Sequence, residues 1–255
     1  RRAPLSLAIP ESARKSKRGR MVDIAPSRYH HRPVRVLGIE TSTRRGSVAL
    51  AVDGKVVSVQ THEEPNSHAE RVLGLVERAL AEAKLDRKAL DRLAVGVGPG
   101  SFTGLRVGIA LAEGIALGLE RPLVGVGSLR AMAQAVPATD ERARIAVLDA
   151  RRGEVFMAAY APDGEELIAP SALAPAAARE LLLATLGARS AVTVGESASL
   201  LGEGFSHLAG TELDLPHAGS VALLGALLEP AIARAEPVYV RGAGATLPNL
   251  PPSPL

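Results

Sequence analysis

Asp53-Gly54 separates two runs that read as strands, Gly46–Val52 and Lys55–Gln60. Both residues tolerate positive φ, which a two-residue hairpin demands, so these runs are antiparallel neighbours. A third run, Val34 to Glu40, precedes them. Three strands therefore come before the first helical pattern, which spans Ser67 to Lys84 and repeats Val72, Leu73, Val76, Leu80 and Ala83 at helical spacing. Asn66 or Ser67 caps it, and Glu70 stands three residues after Ser67, the spacing of a capping box. A strand at Leu93–Gly98 leads to a helix through Leu119, stopped by Arg121-Pro122, and Leu123–Val126 is again a strand. The order β-β-β-α-β-α-β excludes a dinucleotide-binding fold, which opens βαβ with its Gly-rich turn after the first strand.

The class is α/β with a mixed sheet, and a hairpin start fits a ribonuclease-H-like half-domain. The later chain repeats a hairpin-then-helix order with weaker periodicity. Helix 128–136 is closed by Pro137; strands follow at 144–149 and 154–160, a helix at 174–186, a strand at 191–194, a weak helix at 197–201 and a helix at 220–235. Two lobes are expected, 34–127 completed by 218–235, and 128–217. Residues 1–33 form a basic extension, and 241–255 a tail with four prolines among the last eight positions.

Composition removes several function classes. Of 255 residues, 47% are hydrophobic and 22% charged, so the chain is not globally disordered. With no cysteine there is no disulfide scaffold, thiolate zinc site or cysteine nucleophile. Three Phe, three Tyr and no Trp argue against a single-strand binder that stacks bases. No unbroken run of about 18 apolar residues is present, so no membrane span is expected. Residues 1–35 carry ten Lys/Arg against two Asp/Glu, leaving the other 220 residues at net −5. The basic character thus belongs to the extension, which is either a disordered arm or a targeting or nucleic-acid arm. No apolar stretch of a secretory signal follows its charges, and Met21 offers an alternative start.

Four groups of residues could carry chemistry. Glu40-Thr41-Ser42-Thr43 ends the first strand, either holding a metal-bound phosphate or simply connecting strands. Gly98-Pro99-Gly100-Ser101-Phe102-Thr103-Gly104-Leu105-Arg106-Val107-Gly108 is a strand-to-helix turn whose free N–H groups suit an anion. It is not a Walker loop. The helix it opens has glycines at 104, 108, 114 and 118, each interior one costing about 1 kcal/mol relative to Ala. Close packing, phosphate binding and neutral drift all remain open for them. The histidines His30, His31, His62, His68 and His217 lack ligand spacing and read as surface or cap residues. Asp149-Ala150-Arg151-Arg152-Gly153-Glu154 is a hairpin whose alternating charges bind a ligand or pair with one another.

Three of these stretches, Gly38-Ile39-Glu40-Thr41-Ser42, the run Gly98 to Gly108, and Asp149 to Val155, resemble the TsaB family, and Pro237-Val238-Tyr239-Val240-Arg241 adds a fourth point of likeness. These are the dimerisation subunits of the bacterial tRNA threonylcarbamoyladenosine machinery. The resemblance runs from Val34 to Arg241. It implies two ribonuclease-H-like lobes of the actin, sugar-kinase and heat-shock-ATPase superfamily. It also implies a cytoplasmic complex with TsaD, the catalytic subunit, and TsaE, an ATPase. That complex transfers a threonylcarbamoyl group to the adenosine beside the anticodon of ANN-decoding tRNAs. In TsaD a strand ending in Val leads into a His-x-x-x-His metal pair; here the two places hold Ser128 and Met132, neither of which replaces imidazole.

The resemblance therefore implies a non-catalytic scaffold with no metal and no cofactor of its own. ATP or ADP at the complex interface is left open, with Glu40, Thr41, Ser42, Gly98, Gly100 and Ser101 as the phosphate-type residues. tRNA is reached only through the complex, and the chain is expected to form a homodimer when alone. The wide apolar arc of the first helix and the glycines of the second nominate His68, Val72, Leu75, Ala79, Val107, Gly108, Leu111 and Gly114 as the partner surface. The competing reading is a stand-alone ATPase or small-molecule kinase of the same superfamily. The later lobe offers Gly195-Glu196 and Gly202-Glu203-Gly204, but no Asp-Gly-Gly-type phosphate turn. A protease would need a nucleophile–base pair that is not evident.

Overall fold

The computed structural model describes residues 34–64, 67–210, 212–229 and 235–240. Expectations about Met21, His30, His31, Asn66 and the two tails fall outside these residues.

Asp53 and Gly54 adopt φ of 51° and 72° and join β2 (Gly46–Val52) to β3 (Lys55–His62). β2 also pairs antiparallel with β1 (Arg35–Glu40), and β1 runs parallel to β4 (Arg92–Gly98), which pairs with β5 (Leu123–Gly127). The sheet order is β3-β2-β1-β4-β5. β1 is buried on both faces, as a central strand must be. Leu37, Ile39, Leu93 and Val95 face α1 (His68–Glu82) and α2 (Phe102–Leu119). Val36, Ala94 and Val124 face α5 (Ala218–Leu227). At Gly38 a Cβ would stand 2.5 Å from the Ala218 carbonyl oxygen, so only glycine lets α5 lie this close to β1.

The second sheet repeats the pattern. β6 (Ala143–Arg151) and β7 (Glu154–Tyr160) form a hairpin, β8 (Glu166–Leu173) extends it, and β9 (Ala191–Val194) and β10 (Ser206–His207) run parallel on the far side of β6. The order β8-β7-β6-β9-β10 matches the first sheet position for position. α4 (Pro175–Leu186) covers one face and α3 (Ser128–Ala135) the other. Two ribonuclease-H-like lobes of this order make the architecture of the actin, sugar-kinase and heat-shock-ATPase superfamily. α3 and α5 contact each other and form the seam between the sheets. That position explains why α5 buries its whole circumference from Ala218 to Gly225.

Two local expectations are corrected, and two strands are added. No capping box forms, because Ser67 Oγ donates to the Glu64 carbonyl at 2.8 Å and makes no side-chain cap bond. α5 ends at Leu227 rather than at 235, with Leu228 extended two residues before Pro230. β8 and β10 were not expected from the sequence.

Candidate functional site

β1 delivers Glu40 to the junction of the lobes, where it is fully buried. Its Oε1 accepts from the Ser42 backbone N–H at 2.6 Å, and its Oε2 accepts from Ser128 Oγ at 3.0 Å. Ser128 Oγ in turn accepts from the Gly98 N–H at 3.2 Å. Burial pushes the Glu40 carboxyl above its ordinary range, while the hydrogen bonds from Ser42 and Ser128 pull it back in part. The next residue, Thr41, is equally buried and donates from Oγ1 to the Gly104 carbonyl at 2.8 Å. A Cβ at Gly104 would lie 2.1 Å from the Thr41 carbonyl oxygen, and one at Gly108 would lie 2.1 Å from Thr41 Oγ1. The first two glycines of α2 therefore serve close packing inside the lobe.

An open cleft of about 620 Å³ lies between the lobes. Its floor is Ser42, Thr43 and the start of α2 from Gly100 to Gly104; its far wall is Leu148 to Arg152 with Phe156 and Glu196. Ser101 N–H donates to the Ser42 carbonyl at 2.6 Å, and Ser101 Oγ caps α2 through the Gly104 N–H at 3.3 Å. Of the residues expected to hold phosphate, Ser42, Gly100 and Ser101 line this cleft. Glu40, Thr41 and Gly98 do not: they are buried behind it, held by the bonds just described. Arg44 bridges the cleft to Glu196 on the other lobe.

His68 lies at the cleft edge with both ring nitrogens engaged, Nε2 on the Thr43 carbonyl at 2.8 Å and Nδ1 on His62 Nε2 at 3.0 Å. A carbonyl only accepts, so His68 Nε2 carries the proton and Nδ1 receives the one on His62 Nε2. Partial burial and the neighbouring His68 lower the pKa of His62. On the opposite wall the β6–β7 turn holds Arg151 and Arg152 at φ of 62° and 57°. Arg151 pairs with Asp149, its Nη1 at 3.1 Å from Oδ2, whereas Arg152 projects from the turn at the cleft. The segment 235–240 runs beside the end of β4, with Val238 N–H donating to the Val97 carbonyl at 2.7 Å. It brings Tyr239 onto Phe102, ring centroids 5.7 Å apart, and Arg106 covers the same Phe102 ring at 3.8 Å.

The expected partner surface is corrected in most of its members. Val72, Leu75 and Ala79 are buried in the first lobe's own core, His68 is fixed by His62 and Thr43, and Gly108 is closed by Thr41. The wide apolar arc of α1 arises because it packs on both the sheet and α2, so it needs two faces. Val107 and Leu111 are half-buried, and Gly114 is exposed. What α2 does present outward is Ala110, Gly114, Leu117 and Gly118; Leu117 is 82% exposed, and no atom lies within 4 Å of a Cβ at either glycine. α2 reaches the length and apolarity of a membrane-crossing helix. It nevertheless carries Arg106 and Glu113, and it packs Leu105, Ile109, Ala112 and Ala116 into the lobe core.

Among the described residues, no group of three His, Asp or Glu side chains is placed to hold a metal. Ser128 is occupied by Glu40 and Gly98, and Met132 is buried against the second sheet. A bound anion would be met in the cleft by the exposed N-terminal turn of α2 and by Arg152.

The family model for TsaD, tRNA N6-adenosine threonylcarbamoyltransferase, matches residues 55–188. The tRNA threonylcarbamoyladenosine biosynthesis protein TsaB of Escherichia coli is 37% identical over 226 residues, 82% of this chain and 95% of that protein. The chain belongs to the TsaB family. The solved structure of YeaZ from Pseudomonas aeruginosa superposes with a TM-score of 0.70 at 29% identity, covering 81% of this chain and 99% of that one. A second Pseudomonas aeruginosa structure, described as similar to peptidase YeaZ, gives 0.71 at 30% identity over 82% and 100%. The four motifs that resembled the TsaB family are drawn together by the fold. The first and second meet at Thr41 and Gly104, the second and fourth at Phe102 and Tyr239, and the third faces the second across the cleft.

Two features of this TsaB-family chain escaped the sequence reading. One is the bridge between Arg44 and Glu196, 152 residues apart, for which no local signal exists. The other is the cluster of Phe102, Arg106 and Tyr239. Its signal was available: in a chain with six aromatic residues, Phe102 and Tyr239 both stand in family-like motifs.

Proposed function

We propose that this chain is a non-catalytic subunit of the tRNA threonylcarbamoyladenosine machinery, docking a TsaD-type catalytic subunit through the outward face of α2. The observation that carries the reading is that face. Ala110, Gly114, Leu117 and Gly118 present small and apolar surface, and an exposed apolar patch of this kind seeks burial. Open glycines let a second helix approach to backbone distance. Leu73, on the α1 helix packed beside α2, is a further exposed apolar side chain, at 51%. The same face closes a homodimer when the catalytic partner is absent.

The absence of catalysis in this reading rests on Ser128 and Met132 at the metal-ligand places, and on Glu40 being walled off from the cleft. The TsaE-type ATPase joins through the catalytic subunit, ATP or ADP sits at the interface of the complex, and tRNA is engaged by the assembly in the cytoplasm. The test is co-purification of the full chain with TsaD- and TsaE-type subunits. Leu117→Arg and Gly114→Arg should abolish capture and shift the free chain toward monomer in sedimentation, with circular dichroism unchanged. Retained capture by both variants rejects this interface. Stand-alone ATP hydrolysis by the purified chain would favour the kinase-like reading instead.

A further inference from the structure

We infer that the rim of the interlobe cleft, formed by Phe102, Arg106 and Tyr239 on one lobe and Arg151-Arg152 on the other, is an RNA-contact surface of this subunit. The inference rests on the functional reading above only for the kind of RNA; the chemistry is in the side chains.

Phe102 is 53% and Tyr239 52% exposed, their rings in tilted contact at 34°, with the Arg106 guanidinium lying on the Phe102 ring. Together they form one exposed cationic aromatic spot, enough for a single unpaired base to stack on, although six aromatic residues in the whole chain furnish no continuous stacking track. Across the cleft, Arg151 ends β6 and Arg152 opens the two-residue turn Arg152-Gly153; both arginines hold left-handed φ, a conformation costing L-residues roughly 1–2 kcal/mol each. A hairpin needing only to turn has no use for two arginines there. Guanidinium groups suit phosphate because they bind it with two parallel N–H bonds. Among the described residues neither Arg106 nor Arg152 has a carboxylate within ion-pair distance, although residues 36–255 are net acidic.

Exposure decides between a polymer and a small ligand. A small-molecule site encloses most of its ligand, whereas the Arg151 side chain is 87% exposed and the aromatic pair half exposed. Groups standing on a rim on both sides of an open cleft fit a polyanion laid across it. The unpaired nucleotides of a tRNA loop supply both the phosphates and the splayed bases.

The experiment uses the full chain, alone and in complex with its TsaD-type partner, and an end-labelled unmodified ANN-decoding tRNA followed by fluorescence anisotropy across a salt series. The first variant is Arg151→Asn with Arg152→Asn. Asn tolerates left-handed φ better than Arg at both positions and, ahead of Gly153, completes an Asn-Gly turn, so the fold is kept or strengthened while two cations are lost. The second is Phe102→Ala with Tyr239→Ala. Each should weaken tRNA binding roughly tenfold or more. The arginine pair should also flatten the slope of log affinity against log salt by about 1–2, which the aromatic pair should not do. Co-purification with the partner should be unaffected, so failure of the subunit reading is seen separately as loss of the complex in the wild-type chain. Unchanged affinity and slope in both variants, or no tRNA binding by either wild-type form, overturns the inference. So does loss of partner capture by the variants, which makes the rim a protein contact. Full displacement of tRNA by ATP or by polyglutamate also overturns it, assigning the cleft to mononucleotides or the rim to acidic protein.

Discussion

Gly108 and Gly114 lie on the same helix, six residues apart, and do opposite things. A methyl group at Gly108 meets Thr41 Oγ1, while one at Gly114 meets nothing. Gly108→Ala should therefore destabilise the lobe by about 1–3 kcal/mol through overpacking, and Thr41→Ala should recover part of that loss by removing the obstructing hydroxyl. Gly114→Ala should instead stabilise by up to about 1 kcal/mol, because only helix propensity changes. Chemical denaturation of the four proteins checks this; equal effects at 108 and 114 would contradict the packing described. The sequence displayed all four glycines of α2 but not this division, since spacing along a helix does not reveal which turn meets a loop from sixty residues earlier. The surroundings of Glu40 are hidden from the sequence for a related reason. A carboxylate at a strand end signals a site, yet here the chain folds Ser42 and Ser128 over it. Its raised pKa has a definite sign. Stability from the protonated form is fully present below the unfolded value near 4.5 and is lost as pH rises through the higher folded value. The melting temperature of wild type relative to Glu40→Gln should accordingly fall as pH is raised from 4 toward neutrality; a flat difference would show that Glu40 has the same pKa folded and unfolded.

At the scale of elements, local chemistry was a good guide where it closed a local structure. The β2–β3 hairpin was legible because Asp53-Gly54 admits little else, and α2 because Pro122 and the Gly-rich turn bound it. β8 was missed because Pro170 interrupts its run, and proline is tolerated there since β8 is an edge strand. The most instructive error concerns α1. Its apolar arc is broader than one sheet contact needs, and from the sequence alone the excess points to a partner. The excess belongs to α2 in the same lobe, and periodicity reports only that a face is covered, never by what. The consequence is testable. Ala79→Arg, which the sequence alone nominates as an interface variant, should unfold the first lobe, because Ala79 is fully buried. Leu117→Arg should leave thermal stability nearly unchanged and remove partner binding. If Ala79→Arg remains folded and merely monomeric, the packing of α1 is wrong.

For the molecule as a whole, the question is how two lobes of the same topology behave as one body. Two kinds of contact join them. Arg44 and Glu196 meet across the open cleft, half and one-third exposed respectively, and such pairs contribute about 0–1 kcal/mol. The seam of α3 and α5 is different. It is apolar and buried, and Ser128 at the head of α3 accepts from Gly98 while donating to Glu40, so one hydroxyl ties the ends of β1 and β4 to the helix that starts the second lobe. Replacing Ser128 by Ala leaves a buried acceptor on Glu40 and a buried N–H on Gly98 unpaired, at about 1–3 kcal/mol for such groups. The loss falls on the joint rather than on either core. The wild-type chain should therefore unfold in a single calorimetric transition, and Ser128→Ala should lower the midpoint and broaden or divide it. Arg44→Ala should leave both midpoint and shape in place. Two resolved transitions in the wild-type chain, or a divided transition caused by Arg44→Ala alone, would shift the coupling from the buried seam to the cleft.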